Sequence, residues 1–290
     1  MRIRKVFLLG LFSTAALGFG FGAGFLPRNS SHSRSGAKIV SRIHPERTHP
    51  VTDYKSFVIV LYAYNDADWC ERSLRSIFSQ DYENFRLLLI DDDSSDQTME
   101  RVRDFIVASS QQHRVILMQN ESFCGFSASL SRAISHCHDF EIVVPLFAKD
   151  WMVDSSVLSQ WNLAFQNPDV WIAFGNTICY PSYEGRVLMP CREIRKKGWD
   201  AFVLQNGSSH AFYSALFKQL SMQNVQSNYL LSLLELSGGR VKNIEALLCF
   251  DNMTKRSVGF ETKGERTSLK PLPAFPKHFG NESLDAVVSN

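Results

Sequence analysis

Three consecutive aspartates, Asp91, Asp92 and Asp93, end the apolar run in "FRLLLIDDDSSD" and pose the first chemical question of this chain. Like charges at that density repel one another unless a cation, a hydrogen-bond donor or water offsets them. One reading is that they cap the following helix at its positive end, together with Ser94, Ser95 and Asp96. The other is that one of them accepts a hydrogen bond from the imide N–H of a nucleobase, with the ring of Tyr64 covering that base. Further polar groups follow apolar runs in the same way: Asn120 after "RVILMQ", and Lys149-Asp150 after "EIVVPLFA". Lysine supplies a compact positive charge for an anionic group, and His210 has an intrinsic pKa suited to proton transfer, although a histidine beside apolar residues is commonly structural.

The elements that must carry these residues alternate. Residues 56–64, "SFVIVLYAY", form a β-branched and aromatic run of strand length, and Trp69, Leu74, Ile77 and Phe78 follow at helical spacing. A strand at 85–90 and a helix over 97–109, with Met99, Val102, Phe105 and Ile106 on one side, repeat the pattern. "RVILMQN", "FSASLSRAISHC" and "FEIVVPLF" add strand, helix and strand. Such alternation predicts an α/β fold: a mostly parallel sheet flanked by helices, with ligands at the carboxyl ends of the strands. Tyr64-Asn65, Asp91 to Asp93, Asn120 and Lys149-Asp150 all fall on that rim. Beyond it the spacing predicts a helix over 156–166, a strand "WIAFGNTICY", a basic turn "REIRKKGWD", a helix "SNYLLSLLELSG" and a final edge strand "VKNIEALLCF".

The flanks differ from this middle. "MRIRK" followed by the uncharged apolar residues 6–26 reads as a signal peptide or membrane anchor, so the chain is expected to be membrane-anchored or exported. Residues 27–52 read as a flexible stem, 53–254 as one globular domain, and 255–290 as an extended or disordered tail. With 290 residues, 44% of them hydrophobic, one substantial core can be buried. A net charge of +2 supplies no field that would select nucleic acid, and none is expected as a partner. Six cysteines without a C-x-x-C pair disfavour zinc ribbons and thioredoxin-type redox sites.

In order along the chain, "FVIVLYAYND", "LRSIFSQDYENFRLLLIDDDSSDQT" and "QNESFCGFSASLSRAI" resemble the family-2 glycosyltransferases of the GT-A fold. The resemblance is good over about 56–160 and rests on rough spacing over about 160–250. It implies that Tyr62 and Tyr64 line a nucleotide pocket and that Asp92, beside Asp91, reads the base, commonly uracil. Gly125 and Arg132 would lie in the turn and helix beneath the ribose and diphosphate. The implied reaction is transfer of a sugar from a nucleotide diphosphate sugar, a UDP-sugar foremost, to a hydroxyl of a glycan, lipid or protein.

Two departures stand against that pattern. The family's Asp-x-Asp motif, whose carboxylates hold Mg²⁺ or Mn²⁺, falls on Phe147-Ala148-Lys149, with Asp150 just after it. Phe147 offers no oxygen and Lys149 opposes a cation, so the ammonium could meet the diphosphate directly; a metal would need Asp150 as its ligand. The family's general base, a carboxylate at the start of a later helix, falls on Ser227-Asn228. His210 and Asp150 remain as catalytic candidates. The alternative is a catalytically inactive domain that binds a nucleotide, a glycan or a protein partner.

Overall fold

The computed structural model describes residues 53–186, 209–254 and 269–272. The apolar segment 6–26, the stem, the basic turn and most of the tail lie outside the described residues. Among the described residues, no helix is long and apolar enough to cross a membrane.

Strand β1 (Phe57–Ala63) is buried at every position, as a continuous apolar run between two covered faces should be. It pairs in parallel with β2 (Phe85–Asp91) and with β4 (Ile142–Phe147), and β2 pairs in parallel with β3 (Val115–Gln119). The connections are helices: α1 (Cys70–Phe78), α2 (Thr98–Ala108) and α3 (Phe126–Ile134). This half follows the sequence expectation closely.

The period of two along β1 sorts the core into two layers. Phe57, Ile59 and Leu61 pack with Leu74 and Ile77 of α1, Val102 and Ile106 of α2, and Trp161 of α4 (Val157–Ala164). Val58, Val60 and Tyr62 face the other way, onto Phe126, Leu130 and Ile134 of α3. Leu230, Leu233 and Leu234 of α6 (Met222–Ser237) close that layer.

The remaining strands extend the sheet past β4. They are β5 (Trp151–Met152), β6 (Ile172–Tyr180), β7 (Gly185–Arg186), β8 (His210–Tyr213) and β9 (Val241–Asn252). The order is β3-β2-β1-β4-β8-β6-β9-β5, with β7 hairpinned onto β6. Strand β8 is antiparallel to both β4 and β6, and a single turn, α5 (Ser214–Phe217), follows it. His210 opens β8, ahead of α5. One expectation needs correction. The expected edge strand, β9, runs two residues further than read, pairs in parallel with β6, and carries the short β5 outside its end. Gly175, where the β6–β9 register shifts, has no room for a side chain: a Cβ would lie 2.1 Å from Leu248 Cδ1.

The helix expected from Ser227 begins earlier, at Met222, and its turns continue on both sides of an extended residue, Asn228 (φ −169°, ψ 91°), which kinks it. Asn228 Oδ1 accepts from Leu231 N–H at 3.0 Å, so it caps the second part of α6 as an N-terminal asparagine would. Gly238, at φ 59°, ends the helix in the left-handed conformation that glycine tolerates. Residues 269–272 return to α6, where Leu272 N–H donates to Leu236 C=O.

Candidate functional site

The carboxyl ends of β1, β2, β3 and β4 are tied together just past the strands. Asp92 N–H donates to Ala63 C=O at 2.9 Å, Asn120 N–H to Asp91 C=O at 2.8 Å, and Ala148 N–H to Tyr62 C=O at 2.8 Å. Asn65 (φ 53°) bridges the first two loops, its Oδ1 accepting from Ser95 N–H at 2.8 Å and its N–H donating to Ser94 Oγ at 2.9 Å. This brings Tyr62, Tyr64, Asp91, Asp92, Asn120 and Gly125 onto one rim.

Asp91 and Asp92 are both fully buried but face opposite layers. Asp91 accepts from Ser94 N–H at 3.3 Å through Oδ2, while its Oδ1 is buried without a partner. Burial raises its pKa, only partly offset by Ser94. Asp92 is the opposite case. Its Oδ2 accepts from Tyr62 Oη–H at 2.8 Å and Gly125 N–H at 2.7 Å; its Oδ1 accepts from Asn120 Nδ2 at 2.7 Å, Cys124 N–H at 2.9 Å and Cys124 Sγ at 3.2 Å. Burial pushes this carboxyl up, but the donors outweigh it and hold the pKa below the ordinary value.

Each donor has its own support. The Tyr62 ring packs edge-on against Phe126 and Phe147, and burial followed by the Asp92 contact drives its hydroxyl pKa up. Gly125 adopts φ 84°, ψ 164°, a region that is essentially glycine-only, and so aims its N–H at Asp92 while starting α3. Arg132 on α3 donates to Gln119 C=O at 2.8 Å and to Asn120 Oδ1 at 2.5 Å, which orients the Asn120 amide toward Asp92. Above this group Tyr64 and the 43% exposed Phe123 pack with centroids 4.7 Å apart, presenting ring surface at the rim.

At the tip of β4, Lys149 is only 3% exposed. Its Nζ donates to Asp150 Oδ1 at 3.0 Å, Asp251 Oδ1 at 3.5 Å and Asn252 C=O at 2.8 Å, one oxygen for each ammonium proton. Asp150 Oδ1 also accepts from Asn252 N–H at 2.8 Å. Burial pushes the Asp150 carboxyl up to about 7, with Lys149 working against the shift and Asp251 adding to it. An ammonium thus stands where a divalent ion would need oxygens, and the carboxylates nearby are turned toward it. The donor set does not fit Mg²⁺ or Mn²⁺. Among the described residues, no group of three or more His, Cys, Asp or Glu side chains could hold a metal.

His210 is not brought to this rim. It is 2% exposed, its ring contacts are Phe174, Phe212 and Tyr229, and Nε2 lies 2.8 Å from Tyr229 Oη. Burial lowers its pKa to about 3, so it is neutral, and an acceptor hydroxyl would have to enter the core to reach it. Asp251 and Asn252 were missed in the sequence; the available signal was a polar pair ending an apolar strand, the same signal that drew attention to Asp91 and Asp92. The described cysteines are all unpaired thiols.

A parallel β-α-β half with its polar residues on the carboxyl rim, extended by antiparallel strands, is a GT-A arrangement. Residues 58–181 match the family described as glycosyl transferase family 2. The Bacillus subtilis (strain 168) protein named "Putative glycosyltransferase EpsE" is 33% identical over 78 residues, 27% of each chain. S. aureus TarS 1–349 in complex with UDP-GlcNAc superposes with a TM-score of 0.54 at 15% identity, over 73% of this chain and 60% of that one. A second structure, of S. aureus TarS, gives 0.55 at 13% identity, over 68% and 37%. These structural likenesses are likenesses of fold. The chain spans about a quarter of the length of the curated relative and three fifths of the first solved chain.

Proposed function

We propose that the domain binds a nucleotide diphosphate sugar on the carboxyl rim and transfers the sugar to an acceptor hydroxyl without a divalent ion. The observation that carries the metal-free part is the Lys149 ammonium, held by Asp150, Asp251 and Asn252 in the place a metal would take. Nucleotide binding is supported by the family match over residues 58–181 and by the contact of the half-buried Tyr64 ring with the exposed Phe123 ring, next to Cys124, which donates to Asp92. The base reaches Asp92 by displacing one of its three side-chain donors, Tyr62 Oη, Asn120 Nδ2 and Cys124 Sγ, and the Tyr62 hydroxyl, on Oδ2, is the one proposed to give way. In the reaction the acceptor oxygen bonds to the anomeric carbon as the bond to the diphosphate breaks, and the nucleoside diphosphate leaves with the electron pair. The hydroxyl proton passes to a base; Asp150, with its carboxyl near 7, is the candidate by proton affinity, and at 2% exposure it can serve only once the bound substrates uncover it.

A second reading has its own observation. Five donors already converge on Asp92 and all three Lys149 protons are engaged within the chain, which is what a scaffold kept for binding alone would show. Calorimetric titration of the 290-residue chain with UDP and UDP-GlcNAc, in Mn²⁺ and in EDTA, tests the proposal. Binding equal in both and weakened by Asp92→Asn supports it, and UDP release on adding acceptor separates transfer from binding alone. No heat from folded protein, or binding that demands Mn²⁺, overturns it.

A further inference from the structure

An aromatic surface lies next to the Lys149 group and takes no part in the site described so far. Trp151, 4% exposed, is its floor: it stacks on Trp69 (centroids 6.1 Å apart, planes 9° apart) and on Phe250 (5.2 Å, 22°). Tyr180 meets both Trp69 and Trp151 edge-on, at 5.7 and 5.3 Å. Tyr183 completes the group, edge-on to Tyr180 at 5.8 Å and to Phe250 at 6.4 Å. Trp69, Tyr180 and Phe250 are half-buried, and Tyr183 is 60% exposed.

We propose that Trp69, Tyr180, Tyr183 and Phe250 form the surface that receives the pyranose rings of a carbohydrate acceptor; this rests on the reading of the domain as a sugar transferase. Position is the first support. Trp151 directly follows Asp150, Phe250 directly precedes Asp251, and Tyr180 pairs with Asn252 in the β6–β9 register. The shelf therefore shares its backbone segments with the groups around Lys149.

The chemistry of the shelf is the second support. Rigid flat rings lose little conformational freedom on binding and match the C–H faces of a sugar ring. Its exposed neighbours are Asp68, Arg72, Ser182 and Glu184, which can exchange hydrogen bonds with hydroxyls. The Arg72 guanidinium is held in place 3.7 Å from the Trp151 centroid and 5.6 Å from that of Tyr180. A docking protein helix would call for an aliphatic groove, and the shelf has none.

Backbone geometry is the third support. Tyr183 sits at φ 58°, a left-handed conformation that a bulky residue adopts at a cost of about 1 kcal/mol or more. The turn is held by Tyr183 N–H to Cys179 C=O at 2.6 Å and Cys179 N–H to Glu184 C=O at 2.9 Å. Asparagine or glycine would serve this turn better, so the ring itself is what the position retains.

The test is titration of the 290-residue chain with chitotetraose, cellotetraose and maltotetraose, read by tryptophan fluorescence, since Trp69 and Trp151 lie in the shelf. Tyr183→Asn removes the ring while keeping a residue that tolerates the turn, Trp69→Ala removes a second ring, and Leu163→Ala alters an exposed leucine on α4 as a control. Saturable binding of at least one sugar, weakened about tenfold by Tyr183→Asn and unchanged by Leu163→Ala, is the expected result. No saturable change with any of these sugars up to about 20 mM, or binding untouched by Tyr183→Asn and Trp69→Ala, overturns the proposal. UDP titration of the same samples separates the two readings: UDP binding without sugar binding removes the shelf alone, and sugar binding without UDP binding removes the nucleotide reading alone.

Discussion

Replacing Asp150 by asparagine should change how stability depends on pH more than it changes stability at any one pH. In the folded chain burial holds the Asp150 carboxyl near 7, against an ordinary value of 3.8. The folded state therefore binds the proton more tightly than the unfolded state, and unfolding free energy falls as pH rises between those values. The gap of about three pKa units corresponds to about 4 kcal/mol, fully present below pH 3.8 and lost by the time pH has passed 7. The amide in D150N cannot titrate, keeps the shape, and still leaves Lys149 with Asp251 and Asn252. Urea unfolding followed by tryptophan fluorescence, at intervals from about pH 4.5 to 8.5, gives both curves. The stability difference, wild type minus D150N, should fall by about 3 kcal/mol across that range, since common contributions from other groups cancel. A difference that stays flat would refute the assignment of a protonated, buried Asp150 near neutral pH.

The other expectations concern the rim and its supports. Tyr62→Phe removes one donor from Asp92 and should lower stability by about 1–2 kcal/mol in urea titration while tightening UDP binding, because the place on Oδ2 becomes free for the base. Gly125→Ala forces a side chain into φ 84°, ψ 164° and disturbs the N–H to Asp92; a loss of about 2–3 kcal/mol with weaker UDP binding is expected. Arg86→Met breaks the two-bond pair to Glu141, at 2.8 and 2.7 Å, and strands a carboxylate that is 3% exposed; thermal unfolding should show a loss of about 3 kcal/mol with UDP affinity unchanged, since the pair lies at the amino ends of the strands. Finally, if the diphosphate binds beside Lys149 as proposed, deprotonating Asp150 adds negative charge next to it, so UDP affinity measured by calorimetry should fall as pH rises through about 7 in wild type and stay level in D150N.

The parallel half of the fold was legible because each of its strands is a buried apolar run, and the register of β1 with β2 and β4 then aligns their polar ends. Strand β8 was not: "HAFY" has too few residues to show a period, and it is a strand only because β4 and β6 accept it on either side. The full length of β9 was hidden for a related reason, since Asp251 and Asn252 look like loop residues until Lys149 is placed against them. In the site, the rim position of Asp91 and Asp92 could be read from their place at a strand end. The split between them could not, because it depends on the pleat: Asp91 follows Leu87 and Leu89 into one layer, and Asp92 turns to the layer of Leu88, Ile90 and Tyr62. The neutral, enclosed state of His210 was equally invisible, being set by Phe174, Phe212 and Tyr229 from distant segments.

The question posed by a lysine at the tip of β4 has a physical answer in the charges around it. An isolated buried ammonium would be prohibitively costly, and Lys149 is tolerated because two carboxylates and a carbonyl accept its protons. As pH rises through about 7 Asp150 gives up its proton, and the group around Lys149 gains one negative charge. Its role toward a diphosphate is therefore different from that of a divalent ion, which brings surplus positive charge. In the proposed transfer, stabilisation of the leaving group must come from N–H dipoles and from side chains other than Lys149, unless the diphosphate displaces Asp150 from the ammonium. That displacement is easiest when Asp150 is protonated, whereas accepting the hydroxyl proton requires it ionised. On the proposed reading the same carboxyl couples donor binding to proton transfer with opposite pH dependence.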